Sequence, residues 1–221
     1  MVSKVKKSDY KVIGTRPIRH DGYDKVTGRA QYGADIKLPG MIFGAVLRSP
    51  HAHAKIINID TSKAENMNGV FAVMTAKDLP RLTDKQRGNS EESGSEKHLS
   101  ENVMALDKVL YKGHVVAAVS AKDINTAREA VKKIIVDYKV LKPVINVDQA
   151  MEKGAPILHE DFIGDHLGKK VKKTNIATYN RYKIGNADDA FKKCDLIVEK
   201  EVELQTVHQG YIEPHSGTAI W

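Results

Sequence analysis

The sequence predicts an α+β protein, a mixed set of strands with two or more short helices. Three observations carry this. Apolar runs of strand length stand between glycine and proline punctuation: residues 41–47 between Pro39-Gly40 and Ser49-Pro50, 70–75 after Asn68-Gly69, and the run 112–121. Ile124, Ala127, Val131 and Ile134 recur at helical spacing behind Asp123, a side chain suited to N-capping. Val136, Tyr138 and Val140 alternate with Asp137 and Lys139, the period of a half-buried strand, and Lys142-Pro143 closes it.

In chain order, residues 1–10 are polar and read as a frayed lead-in. Glycines at 22, 28, 33, 40 and 44 and prolines at 39 and 50 then mark a turn-rich stretch, 20–56. Its run 41–47 is apolar on both faces, so the expectation is a strand buried on two sides. Residues 54–60 read as a second strand with imperfect alternation. Asp60, Thr61 and Ser62 offer caps for a short helix through Ala64 and Met67, stopped by Asn68-Gly69. Residues 81–101 carry almost nothing to bury and read as a long exposed loop. Order returns at 103–106 and 108–111. A short helix is expected over 148–153, a polar connector over 160–178 and a capped helix from Gly185 to Phe191. Leu196, Val198, Val202 and Leu204 then face one side of an expected strand, with Glu199, Glu201 and Glu203 on the other and Lys200 breaking the pattern. Residues 216–221 read as another strand, apolar at an open edge, so that either a partner covers it or the sequence is a fragment.

Composition narrows the class. A chain of 221 residues, 41% hydrophobic and 29% charged, suits one large globular domain or one domain and part of another. The single cysteine, Cys194, excludes an internal disulfide framework and a Cys-ligated iron–sulfur cluster on this chain, and it fits a reducing cytoplasm. No apolar run reaches the length of a membrane span, and residues 1–7 lack the apolar core of a signal peptide. The net charge of +7 is spread as lysines interleaved with acids, a solvated surface rather than a nucleic-acid footprint. The densest cluster, Lys169-Lys170-Val171-Lys172-Lys173, has no aromatic platform nearby and reads as a mobile surface segment.

A long ordered string carries a family resemblance. Asp21-Gly22, Lys25-Val26-Thr27-Gly28, Ala30, Tyr32 and Asp35 resemble the opening of molybdopterin-containing hydroxylase large subunits. Pro39-Gly40-Met41 and Arg48-Ser49-Pro50-His51-Ala52-His53-Ala54 continue it, as do Gly154-Ala155-Pro156-Ile157-Leu158-His159 and the stretch 185–191. The family includes xanthine dehydrogenase, aldehyde oxidase, carbon monoxide dehydrogenase, nicotinate dehydrogenase and 4-hydroxybenzoyl-CoA reductase. At one place the chain departs from it: Gly113-His114-Val115 stands where the family typically has Gly-Gln-Pro.

The resemblance implies an N-terminal extension over 1–19, an α/β hammerhead domain over 20–142, a connector over 143–180 and the incomplete start of a molybdopterin-binding domain over 181–221. It implies a complete enzyme with molybdopterin-bound molybdenum, with 2Fe-2S clusters and FAD on partner subunits. That enzyme takes its oxygen from water and passes electrons outward, or towards substrate in the reductase branch. The chain would be the N-terminal part of the large subunit, as a fragment or a split subunit, inactive alone. Its substrate would be an aldehyde, purine, N-heterocycle, CO or aromatic acyl-CoA. The alternative is a stand-alone, non-catalytic hammerhead interaction module.

No catalytic, cofactor-binding or metal residue is assigned on this chain. His51 and His53 would share a side of a strand and could pair on a metal, but a turn that satisfies local hydrogen bonds is the simpler reading. His208, Glu213 and His215 form a second cluster, read as structural. The glycines lack the spacing of a dinucleotide or phosphate loop. Cys194 reads as an inert, partly buried thiol. In the family the glycine-rich pterin loop and the general-base glutamate lie far beyond position 221, and nothing in this sequence matches either.

Overall fold

The computed structural model describes residues 11–80, 102–212 and 214–220. The expected loop over 81–101 lies outside them. The chain divides into two units, Met1–Gly40 with Lys200–Trp221, and Met41–Glu199.

The first unit holds a single-turn helix, α1 (Gly22–Val26), and a 3₁₀ turn at Gly33–Asp35. Asp21 ahead of α1 takes hydrogen bonds from Arg19 and Lys25, and the two cations, Arg19 first, hold its carboxyl down at about 2. The Asp35 carboxylate accepts from the Tyr32 N–H at 3.0 Å and closes the 3₁₀ turn. The glycine-rich opening is thus a set of local turns.

The second unit is built on two three-stranded antiparallel sheets. Its strands are β1 (Phe43–Arg48), β2 (Ala54–Asp60), β3 (Val70–Thr75), β4 (Lys108–Val109), β5 (Val115–Ala121) and β6 (Ile135–Val140). One sheet has the order β1-β5-β3 and the other β4-β2-β6. Helix α2 (Ser62–Glu65) joins β2 to β3, and α3 (Ile124–Val131) joins β5 to β6. The imperfect alternation in β2 is a bulge: the register with β6 shifts between Ile56 and Asn58, which leaves Ile57 unpaired and 64% exposed. The cap of α3 is as the sequence predicts, with the Asp123 carboxylate accepting from the Thr126 N–H at 2.8 Å. At α2 the work is done by Asp60, which accepts from the Ser62 N–H and hydroxyl, while Thr61 makes no side-chain cap. Gly69 ends that turn at φ +89, a conformation that favours glycine.

One core lies between the β1-β5-β3 sheet and its helices, where Ala64, Ala117, Val119, Ala130 and Ile134 are buried. A second gathers Ala54, Ala105, Val109 and Val116. The two-sided burial expected of 41–47 is not observed. In β1, Phe43, Ala45 and Leu47 are half-buried while Gly44, Val46 and Arg48 are exposed. As an edge strand, β1 has its other face uncovered within this unit. The central strand β5 comes closer to that expectation, with Val116, Ala117, Val119 and Ala121 all buried.

After helix α4 (Val147–Met151), capped by Asn146, the expected polar connector is a third sheet. Strands β7 (Ile163–His166), β8 (Lys169–Lys172) and β9 (Thr178–Tyr179) pair in the order β8-β7-β9. The lysine-rich stretch is therefore an edge strand, not a mobile segment. It turns on two residues, Leu167 and Gly168, both at positive φ (53 and 78), the sign pattern of a tight hairpin turn. Leucine is a poor predictor of that conformation, and the lysine density suits an edge that must resist pairing with other chains. Gly164 in β7 backs onto the Ile176 carbonyl, where a Cβ would stand 2.4 Å away.

Helix α5 (Ala187–Phe191) follows as expected, with Asn186 as its cap. The strands expected at 196–204 and 216–221 are not formed among the described residues. Leu196, Val198, Val202 and Leu204 stand 70–88% exposed. A strand exists through ladder hydrogen bonds, and no other described strand pairs with this one.

Candidate functional site, a buried polar cluster

The polar residues buried among the described ones are Ser49, His53 and His114. They meet where the β1–β2 turn crosses the turn before β5. Pro50 and the bulge at Leu47/Arg48 break the β1 ladder, and backbone bonds then lock the two turns together. The Ser49 N–H donates to the His114 carbonyl (2.8 Å) and the Gly113 N–H to the Ser49 carbonyl (2.9 Å). The Arg48 guanidinium donates to the Gly113 carbonyl at 2.9 Å. Gly113 sits at φ +90, so the Gly-His turn needs its glycine.

Each side chain has a definite post. The Ser49 hydroxyl donates to the His51 carbonyl and accepts from the His51 N–H, which forms the turn. His53 Nδ1 lies 2.7 Å from the Lys142 carbonyl, an acceptor, so Nδ1 carries the proton. Its Nε2 is buried without a protein partner. The Leu141 N–H donates to the His53 carbonyl, so this histidine ties the β1–β2 turn to the end of β6. His114 is fully buried, accepts at Nδ1 from the Leu110 N–H (3.3 Å) and stacks on Tyr111 with centroids 4.4 Å apart. His51 meets Tyr138 edge-on at 5.0 Å. Burial pushes the Tyr138 phenol up, opposed by a hydrogen bond with Ser49.

His51 and His53 lie in a turn, engaged with Tyr138 and with Lys142 respectively. No group of three His, Cys, Asp or Glu that could hold a metal occurs among the described residues. Nor is the cluster arranged as a nucleophile beside a base: the Ser49 hydroxyl bonds the His51 backbone and the Tyr138 phenol, not an imidazole nitrogen. It is a hydrogen-bonded hub that joins both sheets.

The other candidates are engaged locally. His208 accepts at Nδ1 from the Gly210 N–H, and Tyr211 stands edge-on to both His208 (6.2 Å) and His215 (5.8 Å). Glu213 is outside the described residues. Cys194 is exposed, not partly buried, because α5 has ended and its thiol only reaches back to the Ala190 carbonyl at 3.3 Å. A cleft of about 420 Å³ lies between β2, the segment before β4 and residues 158–161, crossed by a Lys108–Glu160 ion pair at 3.0 Å. Lys55, Asp107 and Asp161 also line it, so both signs of charge share its walls.

Two residues matter more than their sequence context signals. His114 stands in the sequence only as a departure from the family pattern, although a histidine leading into an apolar run needs a buried partner. Asn175 gave no signal in a lysine-rich stretch. Its amide accepts from the Leu158 N–H and donates to the Ala150 and Pro156 carbonyls, clipping α4 and the following segment to the third sheet.

A pterin cofactor needs a concave pocket that encloses most of it. Every described residue from 177 to 220 is exposed, so this stretch by itself does not enclose one. No helix of the described residues is long and apolar enough to cross a membrane.

Comparison with known proteins places the chain. The family model for the aldehyde oxidase and xanthine dehydrogenase a/b hammerhead domain matches residues 27–142, and that for the molybdopterin cofactor-binding domain matches 168–221. The chain is 30% identical over 213 residues to the nicotinate dehydrogenase large molybdopterin subunit of Eubacterium barkeri, covering 96% of this chain and 45% of that one. It is 36% identical over 189 residues to the carbon monoxide dehydrogenase large chain of Afipia carboxidovorans, covering 84% and 23%. Reconstituted CO dehydrogenase from Oligotropha carboxidovorans matches in structure with TM-score 0.65 and 36% identity, over 83% of this chain and 22% of that one. The chain thus spans from under a quarter to under half of these relatives. By its hammerhead domain, its molybdopterin-binding match and its fold, it belongs to the aldehyde oxidase and xanthine dehydrogenase family of molybdopterin-dependent oxidoreductases.

Proposed function

We propose that the chain works as the N-terminal part of a molybdenum hydroxylase or dehydrogenase large subunit, supplying scaffold and subunit contacts. The observation that carries this is the segment 196–204. It has the alternation of a strand, matches the molybdopterin-binding family, and stands exposed without a pairing partner. An amphipathic strand in that condition completes its ladder against another part of the enzyme. The small fraction of each relative that the chain spans agrees with this.

On this reading residues 20–142 are the hammerhead domain, 143–180 join it onward and 181–221 begin the molybdopterin-binding domain. The partners are the remainder of that subunit, a 2Fe-2S subunit and an FAD-binding subunit, assembled in the cytoplasm. The substrate class is that of the relatives' enzymes, an aldehyde, purine, N-heterocycle, CO or aromatic acyl-CoA. When bound by the assembled subunit, molybdopterin supplies the molybdenum at which hydroxylation occurs. The residues of this chain hold the turns and sheets that subunit is built on.

Affinity purification of the full chain from its native cells tests this. A complex containing molybdenum and iron is the expected result. A soluble monomer with neither, stable on its own, would make the chain a free-standing interaction module instead.

A further inference from the structure

The two sheets of residues 41–140 differ in their outward faces. On β4-β2-β6 the outward pairs are Lys55 opposite Lys139 and Asn58 opposite Asp137, so charged side chains interrupt a face that also exposes Ile57 on its bulge. On β1-β5-β3 one side packs Leu47, Ala117, Val119 and Val73 into the core. The other side pairs Gly44 with Ser120 and Val46 with Ala118, and beyond β5 it continues with Ala72 and Met74. None of these six is charged. Val46 is 42% exposed, and Phe71, on the bulge of β3, is 62% exposed. The sequence writes β1 and β5 as strands apolar on both sides, a pattern that belongs to sheets covered on both faces.

We propose that this face docks the remainder of the molybdopterin-binding subunit, which would present a helix or sheet with medium-to-large apolar side chains. The inference rests on the function proposed above. More than half of each relative's chain lies outside the matched stretch, so the same polypeptide system has ample surface to supply the cover. The chemistry of the face argues against a second copy of this chain. Stacked sheets sit about 10 Å apart with side chains from both faces filling the gap, and Gly44, Ala72, Ala118 and Ser120 are too short to fill it from both sides.

The test uses the full chain, alone and co-expressed with the remainder of its large subunit. Hydroxyl-radical labelling of Phe71 and Met74 is read in each state, and capture is compared for wild type, Val46→Lys and Ala72→Lys. The expected result is loss of labelling at both residues on assembly, and loss of capture by the two lysine variants, whose exposed sites leave the free chain's melting temperature unchanged. Assembly with labelling unchanged overturns this inference and leaves the functional reading standing. Protection that appears only on adding an iron–sulfur subunit, or in the isolated chain as its concentration rises, also overturns it, because the occupant is then a different one. Failure to assemble at all sinks both. Should a lysine variant misfold, the labelling of the unaltered chain still decides.

Discussion

His114 shows how one buried side chain organises this unit. It accepts from the Leu110 N–H while its backbone carbonyl receives Ser49, so it holds the β1–β2 turn and the β4–β5 turn in one network. Replacing it with alanine leaves a cavity and an orphaned N–H, and His114→Ala is expected to cost about 2–4 kcal/mol, measured by urea denaturation. Gln at this position, which the family resemblance brings to mind, has an amide oxygen able to accept from Leu110. His114→Gln is therefore expected to recover more than half of that loss. Equal losses for both variants would mean that the Leu110 bond contributes nothing.

At the scale of the element, the caps and turns make the sharpest predictions. Hydrogen bonds from the backbone N–H and hydroxyl of Thr126 hold the Asp123 carboxyl below the usual carboxylate range. A depressed acid contributes stability that is complete above the ordinary carboxylate pKa, about 3.9, and is lost as pH falls through its lower folded value. Asp123→Ala is expected to lower the melting temperature at neutral pH. Asp123→Asn, also a good cap, should nearly restore it and should lose less than wild type between neutral pH and about pH 3. Parallel melting curves for wild type and Asp123→Asn across that range would remove the carboxylate's role. In the β7–β8 hairpin, Leu167 holds φ 53, where asparagine is tolerated far better. Leu167→Asn should stabilise this hairpin by about 0.5–1 kcal/mol, seen as slower amide exchange over 163–172.

For the whole molecule, the contrast is between residues 41–140, with two cores, and the exposed apolar stretch after α5. Among the described residues, limited trypsin digestion should cut at Lys200, inside the unpaired segment, before any lysine or arginine of the sheets. Assembly with the rest of the large subunit should protect that site. Cleavage first at Lys122 or Lys132 would instead place the weak point in the hammerhead fold.

Much of the fold was legible in local pattern. Strands β2, β3, β5 and β6, the capped helices α3 and α5 and the turn at Gly69 follow from alternation, helical spacing and cap residues, because these depend on neighbours within a few positions. The family signature is equally a property of the string. Tertiary structure alone decided which partners each segment met. It made β1 an edge with one covered face and folded the polar stretch 163–179 into a sheet on a Leu-Gly turn that propensity disfavours. It buried His53 and His114 as ties between distant turns, and left the strand pattern of 196–204 without a ladder. Periodicity determines which side of a segment is apolar; only the arrangement of the other strands determines whether anything covers it.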